Sequence, residues 1–570
     1  MRKLLLPLCW SSLVLAQGVD DSVNARIRKE ESDHSQVMHT LHMLADRYGP
    51  RMTGTPNHEA AVQWVIRQFT EWGMKNSHRE PWDFARNGWL NERAAGYIVS
   101  PVHQNLKMEV VAWTPSTKGT VTGSAVQLEL PQGPPAPVNP DTAANGRGGR
   151  GGRGGPARLG PTKEELQLWL DANKSKIQGK IVLLGKATVI PVNFEPPVKR
   201  TPDDQVKQRY DPNNPNPGFG RGARAGRGPT QDPDHLSANQ VGELVDAWLL
   251  ANGALVRVTE SPEPGGIIRV AQHRGYDSTK TIPEAMVRND DYGRIERLLA
   301  DGEDVKLEFN ILNHEYPEGK TSYDVVGEIP GSDKADEVVM LGGHLDSWHS
   351  ATGATDNGAG SAIMMEAARV IQSLGLKPRR TIRVALWSGE EEGLLGSLAY
   401  VKQHFGSFED PKPEFAKLDC YFNVDTGTGR LRGGSIFGPP EAAAILRRVF
   451  DGFTDLGVFG ALSTSSRATG GTDSTSFNNA GLPGIGMQQD PIEYNALTHH
   501  TNLDTYERLI PEDLKQASTV IAASVWYLAN LDQMIPRFTK DNMPAPVPAG
   551  GGGGRATPAA PGRGAGRGRQ

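Results

Sequence analysis

The sequence predicts an α/β protein: a sheet with helices on both faces and its chemistry at the carboxyl ends of the strands. Three observations predict it. Between Glu337 and Gly360 an apolar run, Val338 to Leu341, ends in two glycines and is followed by a helix-like stretch. From Tyr323 onward the same alternation of short apolar run, turn residues and 3.6-periodic segment repeats several times. A short apolar run entering glycines and then a helix is the pattern of a buried parallel strand, and in open α/β sheets ligands collect outside the carboxyl ends of such strands.

The elements follow in order. Arg2 and Lys3 precede the apolar run Leu4 to Leu15, and Val14-Leu15-Ala16 resembles a cleavage site, so residues 1–16 read as a signal peptide and the mature chain as secreted or periplasmic. The run is too short to span a bilayer, and no other apolar run is long enough for a membrane span. Cleavage leaves Cys420 as the sole cysteine, best read as a buried small hydrophobe; an exported chain without a disulfide rests on its cores. Ile27 to Tyr48 reads as helical, and Asn57 as the cap of a helix in which Ala61, Val65 and Phe69 share a face.

From about Asn91 the character changes to short β-like runs and low complexity. The 570 residues exceed one ordinary domain. Residues 17–114 read as the N-terminal part of the main domain and 115–315 as a mixed α/β insertion with Gly/Arg/Pro-rich loops at 131–156 and 211–229. Within it, Lys180 to Gly185, Ala254 to Thr259 and Ile267 to Val270 read as strands and Glu243 to Ala251 as a helix. Residues 316–540 read as the catalytic domain and 541–570 as a disordered tail. The Arg/Gly tracts are solvated linkers on this reading: apart from Phe219 they lack interleaved aromatics, and the net charge of −5 gives no argument for nucleic acid.

In the catalytic part, Asp324 to Ile329, Glu337 to Leu341, Thr381 to Trp387, Cys420 to Val424 and Leu482 to Met487 are strands. Ser361 to Leu374, Leu394 to Phe405 and Pro511 to Leu531 are helices. Five metal-capable side chains sit at strand ends or in the loops after them: His344, Asp356, Glu391, Asp425 and His500. Singly each is weak, since a lone histidine after a strand is usually structural and an acidic run is usually a solvated surface. Glu390 to Glu392, however, follow a buried strand, where a solvated face is not expected. Two imidazoles and three carboxylates suit zinc, with cobalt or manganese as substitutes. Five donors exceed one tetrahedral ion and fit two ions sharing a carboxylate. Asp346 is placed to fix the His344 tautomer.

GGHLDSWHSATGATDNGAG, WSGEEEGLLGS, NVDTGTG and YNALTHHTNLDT resemble the co-catalytic dizinc exopeptidases that include bacterial leucyl aminopeptidases and glutamate carboxypeptidase, and the GHLDSW string is nearest to the carboxypeptidase Q branch. The resemblance covers about 320–531 and the 41–85 segment with PRMTGTP, and the insertion resembles a protease-associated domain. It implies a three-layer phosphorylase/hydrolase-like mixed sheet and two Zn2+ per chain. On it, Asp356 bridges the ions, His344 and Asp425 complete one site, Glu391 and His500 the other, and Glu390 is the general base. A register one residue on, with Glu391 as base and Glu392 as ligand, is also open. The first is preferred because family members have two acids, a variable residue and then glycine. His500 is preferred to His499 because it begins an HTxxD pattern. In the family the peptide after the bridging aspartate is commonly cis, which points to Asp356–Asn357.

The residues Gly470-Gly471-Thr472-Asp473-Ser474 match a pocket-lining loop of the family and read equally as a capped turn. Tyr494 is within reach of the site. Arg467 is a candidate carboxylate clamp, with a surface arginine the favoured reading. The expected protein is a metallopeptidase acting on short peptides or dipeptides, with a homodimer implied by the resemblance. Its rivals are a single-zinc glutaminyl-cyclase-like acyltransferase, and an inactive receptor or binding homologue, against which the full set of five donors argues.

Overall fold

A computed structural model describes residues 21–136, residues 158–214 except 193, 195 and 196, and residues 232–546 except 274, 469 and 470. Residues 1–16, read above as a signal peptide, most of both Gly/Arg-rich tracts and the residues from 547 lie outside the described residues.

Among the described residues sixteen strands build two sheets: β1 (Lys75–Asp83), β2 (Gly88–Ser100), β3 (Gln104–Asn105), β4 (Met108–Val110), β5 (Val121–Leu128), β6 (Ile181–Leu184), β7 (Val256–Ser261), β8 (Glu284–Arg288), β9 (Lys306–Tyr316), β10 (Thr321–Ile329), β11 (Lys334–His344), β12 (Arg380–Trp387), β13 (Leu418–Asn423), β14 (Leu431–Phe437), β15 (Ala461–Thr464) and β16 (Gly484–Gln489). The first sheet runs β1-β10-β12-β11-β13-β16-β14-β15. Its centre, β12-β11-β13-β16, is parallel, while β10 joins β12 antiparallel and β14 joins β16 antiparallel. Alternation along β11 explains the three layers. Val339 and Leu341 share a core with helices Ala359–Ser373 and Pro511–Asn530, whereas Val338 and Met340 share the opposite core with Tyr400, Phe405 and Phe477. Cys420 is a free, fully buried member of the first of these cores.

The second sheet runs β3-β2-β9-β5-β6-β7-β8-β4. Helices Lys163–Asn173 and Ala238–Ala251 cover one face, each opened by a reciprocal capping box, Thr162 with Glu165 and Ser237 with Gln240. Tyr292 and Ile295 of helix Asn289–Ala300 pack on the other. This sheet begins at Gly88, not at residue 115: β2 pairs along its length with β9, and β4 pairs with β8. The segment 88–110 therefore belongs to the second sheet rather than to the first.

Four further local expectations change. Ile27 to Tyr48 is helical, but in pieces: helix Asp21–His34 stops and Val37–His42 restarts, followed by a wide helical turn at Met43–Arg47. The helix cap is Thr55, whose side chain accepts from His58 N, and Asn57 instead donates to Pro50 O. Ile267 to Val270 forms no strand of the sheet. It runs against the main domain, where Ile268 N donates to Asn502 Oδ1 (2.8 Å) and Val270 N to His500 O (2.8 Å). β14, β15 and helix Pro440–Phe450 were not foreseen. Finally, residues 199–210 leave the second domain and lie on the first, where Arg200 grips Asp513 at 2.5 and 2.9 Å and Asp490 at 3.3 Å.

Candidate metal centre

The parallel strands deliver their residues to one edge. His344 is the last residue of β11, and β13 leads through Val424 to Asp425. β12 ends at Trp387 and turns sharply, with Gly389 in the left-handed region (φ 70°), before Glu390 to Glu392. The loop after β16 brings in Tyr494, His499 and His500, the last with φ 57°, a conformation tolerated where surrounding structure enforces it.

These side chains converge. His344 Nε2 lies 3.4 Å from Asp356 Oδ1 and 3.5 Å from Asp425 Oδ1. The other Asp356 oxygen, Oδ2, lies 3.3 Å from His500 Nε2, which is 2.9 Å from Glu391 Oε2. Asp356 thus presents one oxygen to each of two donor sets. Glu390 Oε2 stands 3.9 Å from His344 Nε2. Glu392 is not among the clustered donors; it turns towards Thr53 and Arg86. His499 Nε2 is 3.9 Å from Asp356 Oδ2, farther than His500, against whose ring it packs at 3.9 Å. The Asp356–Asn357 peptide is cis.

The surroundings hold this cluster rigidly. Asp346 does not simply face the His344 ring. His344 Nδ1 is 3.1 Å from the Asp346 carbonyl oxygen and 3.5 Å from its carboxylate. That carboxylate accepts from Thr53 Oγ1 (3.2 Å), Glu390 N (3.4 Å) and Glu391 N (3.3 Å), so it aims the acidic turn as well as the imidazole. Asp504 accepts from Thr355 N (2.6 Å) and Asp356 N (3.1 Å), which fixes the bridging residue. Arg51, fully buried, donates to Leu345 O, Leu44 O, Thr352 O and Gly353 O and so ties the loops on either side of the site. Arg51 and Thr53 lie in PRMTGTP and Asp504 in HTNLD, motifs visible in the sequence whose tertiary roles were not. Tyr494 is buried beside Asp356 and 4.9 Å from the His499 ring. Asp473 is buried with neither carboxylate oxygen hydrogen-bonded. Arg467 is not a surface residue: its side chain is buried and pairs with Glu409 at 2.8 Å.

The electrostatics show a shortage of positive charge. Burial, countered by His344 and reinforced by Asp425 and Asp473, pushes Glu390 well above the ordinary carboxylate range. Burial, with Asp356 as the leading charged neighbour, does the same to Glu391. Burial disfavours the imidazolium of His344, yet Asp425 and Glu390 raise that residue well above its usual value. Burial and Asp356 push Asp504 up to about 7. Buried acceptors left without partners include Asp356 Oδ2, Glu391 Oε1 and Oε2, and Asp425 Oδ1, beside an unpartnered His344 Nε2. Orphaned buried polar atoms are costly, and this set of oxygens and imidazole nitrogens is the donor chemistry of zinc. The residues fit a cation centre. A cleft lined by Trp348, Asp356, Glu391, His500 and Asp504 opens onto it.

Residues 324–525 match peptidase family M28. Mouse carboxypeptidase Q is 32% identical over 261 residues, 46% of this chain and 53% of that protein, so the chain spans about half the length of the curated mouse relative it matches. Carboxypeptidase Q of Pongo abelii is 25% identical over 551 residues, covering 94% and 97% of the two chains. Among solved structures, a peptidase M28 precursor from Shewanella amazonensis superposes with a TM-score of 0.59 at 23% identity, covering 91% of this chain and 99% of that one. BSAP, a zinc aminopeptidase from Bacillus subtilis, gives 0.51 at 16%, covering 89% and 98%. At these identities the two structures speak to fold alone, and it is the same fold. Residues 324–525 are thus the part of the chain that is similar to peptidase family M28.

Proposed function

We propose that this protein is an exported dizinc exopeptidase that hydrolyses short peptides or dipeptides. One observation carries the proposal: Asp356 turns one oxygen to His344 and the other to His500, with Asp425 and Glu391 completing the two donor sets. His344, Asp356 and Asp425 would hold one zinc, and Asp356, Glu391 and His500 the second. When bound, the pair supplies Lewis-acid polarisation of the scissile carbonyl and acidification of a water.

The chain's own groups do the rest. Glu390 stands beside His344 of the first set, grouped with it and Asp425; left off the metal, as the resemblance implies, its carboxylate would take a proton from the attacking water and return it to the leaving amine. Asp346 holds the Glu390 and Glu391 amides, and with them the direction of both side chains. Trp348 lines the cleft, and Tyr494 is buried beside the bridging aspartate. A single-zinc acyltransferase would leave one of the two donor sets without a role. Export rests on the Arg2-Lys3 and Leu4 to Leu15 pattern, and a homodimer on the resemblance alone.

Replacing Glu390 by Gln keeps the shape and removes the proton acceptor. The expected result is a fall in kcat of about 10²-fold or more, with zinc content unchanged at about two per chain. A Glu390→Gln variant with near wild-type turnover of dipeptides would refute the assignment.

A further inference from the structure

The two donor sets are not held alike. His344 ends β11, and its side chain is fully buried. His500 lies in a loop, its side chain is 35% exposed, and its backbone stands at φ 57°, where a residue with a Cβ stays only if its neighbours enforce it. Those neighbours come from the second domain. Val270 N donates to His500 O at 2.8 Å, and Arg269 Nη1 donates to His499 O at 2.8 Å. Asn502 is clasped in both directions: its N donates to Ile268 O at 3.0 Å, and its Oδ1 accepts from Ile268 N at 2.8 Å. Among the described residues neither the His499 nor the His500 carbonyl accepts a hydrogen bond from the first domain. The two carbonyls belong to the two peptide planes that flank the His500 Cα. Peptide units are planar, so holding both planes fixes φ and ψ of His500 and with them the direction of its Cβ. The second domain thereby sets where the imidazole starts.

The segment that makes these contacts is itself anchored. Ser261 Oγ, at the end of β7, donates to Ile267 O at 3.1 Å and accepts from Arg269 N at 3.1 Å. Glu263 Oε1 accepts from Arg269 Nε at 3.2 Å, which aims the guanidinium at the His499 carbonyl. Further along, Ala112 N donates to Ala271 O (2.9 Å) and His273 N to Ala112 O (2.8 Å). His273 Nε2 lies 3.4 Å from Asp246 Oδ2, and Arg257 Nη1 pairs with the other oxygen of that acid at 2.6 Å. Residues 267–273 thus form a strap tied to the second domain at both ends. Of the bonds the strap makes to the loop of His500, the one from Arg269 is the charge-assisted one, and it holds the peptide directly before the histidine.

We propose that the second domain sets the affinity of the Glu391–His500 zinc site, with Arg269 as the positioning residue, and leaves the His344–Asp425 site alone. The proposal rests on the dizinc reading above and is tested so that the two can fail separately. Zinc binding by wild type, Arg269→Met, Arg269→Lys and Asn502→Ala is titrated against a chromophoric chelator. Methionine keeps the stem of the side chain and loses the donor. In Arg269→Met one ion should bind about 10- to 100-fold more weakly and the other as in wild type. Lysine, which can still donate to one carbonyl, should recover part of the loss, and Asn502→Ala should weaken the same ion. Thr162→Ala removes the cap of helix Lys163–Asn173, touches no part of the strap and should change neither ion. Equal weakening of both ions in Arg269→Met, no change in either, or the same selective loss in Thr162→Ala would overturn the proposal. Hydrogen exchange of the metal-free proteins reads the clasp without zinc: Arg269→Met should exchange faster than wild type at 268–270 and 499–502. A wild type that holds one ion would defeat the dizinc reading whatever the exchange shows. Two ions that do not respond to Arg269→Met, with exchange unchanged, would defeat this proposal alone.

Discussion

Arg51 shows how much of this site rests on single residues away from the chemistry. Its guanidinium is fully buried and meets no carboxylate; four carbonyl oxygens at 2.7 to 2.9 Å accept from it. Two of these, Thr352 O and Gly353 O, belong to the loop that leads into Asp356. Removing the donor while leaving the carbonyls buried costs about 1–3 kcal/mol for each group that finds no other partner. Arg51→Met should therefore lose about 3–5 kcal/mol of stability, read as a clear drop in the urea midpoint; a change under about 1 kcal/mol would show that water replaces the side chain. Residues of this kind explain why the candidate donors that cluster here were legible in the sequence and their supports were not. His344, Asp356, Glu391, Asp425 and His500 announce themselves because a donor between a buried strand and glycines or turn residues has no other evident use. An arginine in a Pro/Gly-containing loop looks like any exposed loop arginine until the fold closes over it. Arg467 misled in the opposite direction, for nothing in its neighbours in sequence hints at Glu409.

At the level of elements, the packing of helix Asp21–His34 on helix Ala359–Ser373 carries a buried acid. Glu31 is 1% exposed, one oxygen accepts from Ser35 and the other has no partner. Burial, with Glu366 beside it, pushes Glu31 up to about 9 from 4.5. The folded protein therefore binds this proton more tightly than the unfolded chain. The stability it contributes is complete below about 4.5, declines as pH rises and is lost above about 9. Glu31→Gln, which keeps the shape and cannot ionise, should raise Tm by more at pH 8.5 than at pH 5; an equal shift at both would remove the buried acid as the cause. Element by element, the central strands and their helices were legible because apolar runs and 3.6-residue periods dominate there. β14 was not, since its sequence LRGGSIF reads as a glycine-rich loop. The structure gives the reason for one of those glycines: a Cβ on Gly433 would stand 2.4 Å from the Gly460 carbonyl oxygen and 2.5 Å from the Tyr210 ring, so there is no room for a side chain. The break between His34 and Val37 was missed because helical periodicity continues across it while the direction changes.

Over the whole molecule, the second domain does more than sit beside the site. Its 268–270 segment hydrogen-bonds the chain at His499 to Asn502, and its 199–210 strap grips Asp490 and Asp513 just before and after the loop that carries Tyr494 and His500. The domain boundary was placed at 115 because composition changes most visibly at the Gly/Arg tracts, whereas the chain changes sheets at Gly88, in a stretch of ordinary β-like sequence. Long-range pairing of β2 with β9 leaves no local mark. The central claim is that Asp356 joins two cation sites built from both sides of the sheet edge. Metal analysis of the purified chain and three variants, each equilibrated with zinc and then dialysed, tests it directly. The account predicts about two zinc ions per chain for wild type, about one for His500→Ala and for Asp425→Ala, and fewer than one for Asp356→Ala. A wild-type protein that holds a single ion, or a His500→Ala protein that keeps both, would contradict it.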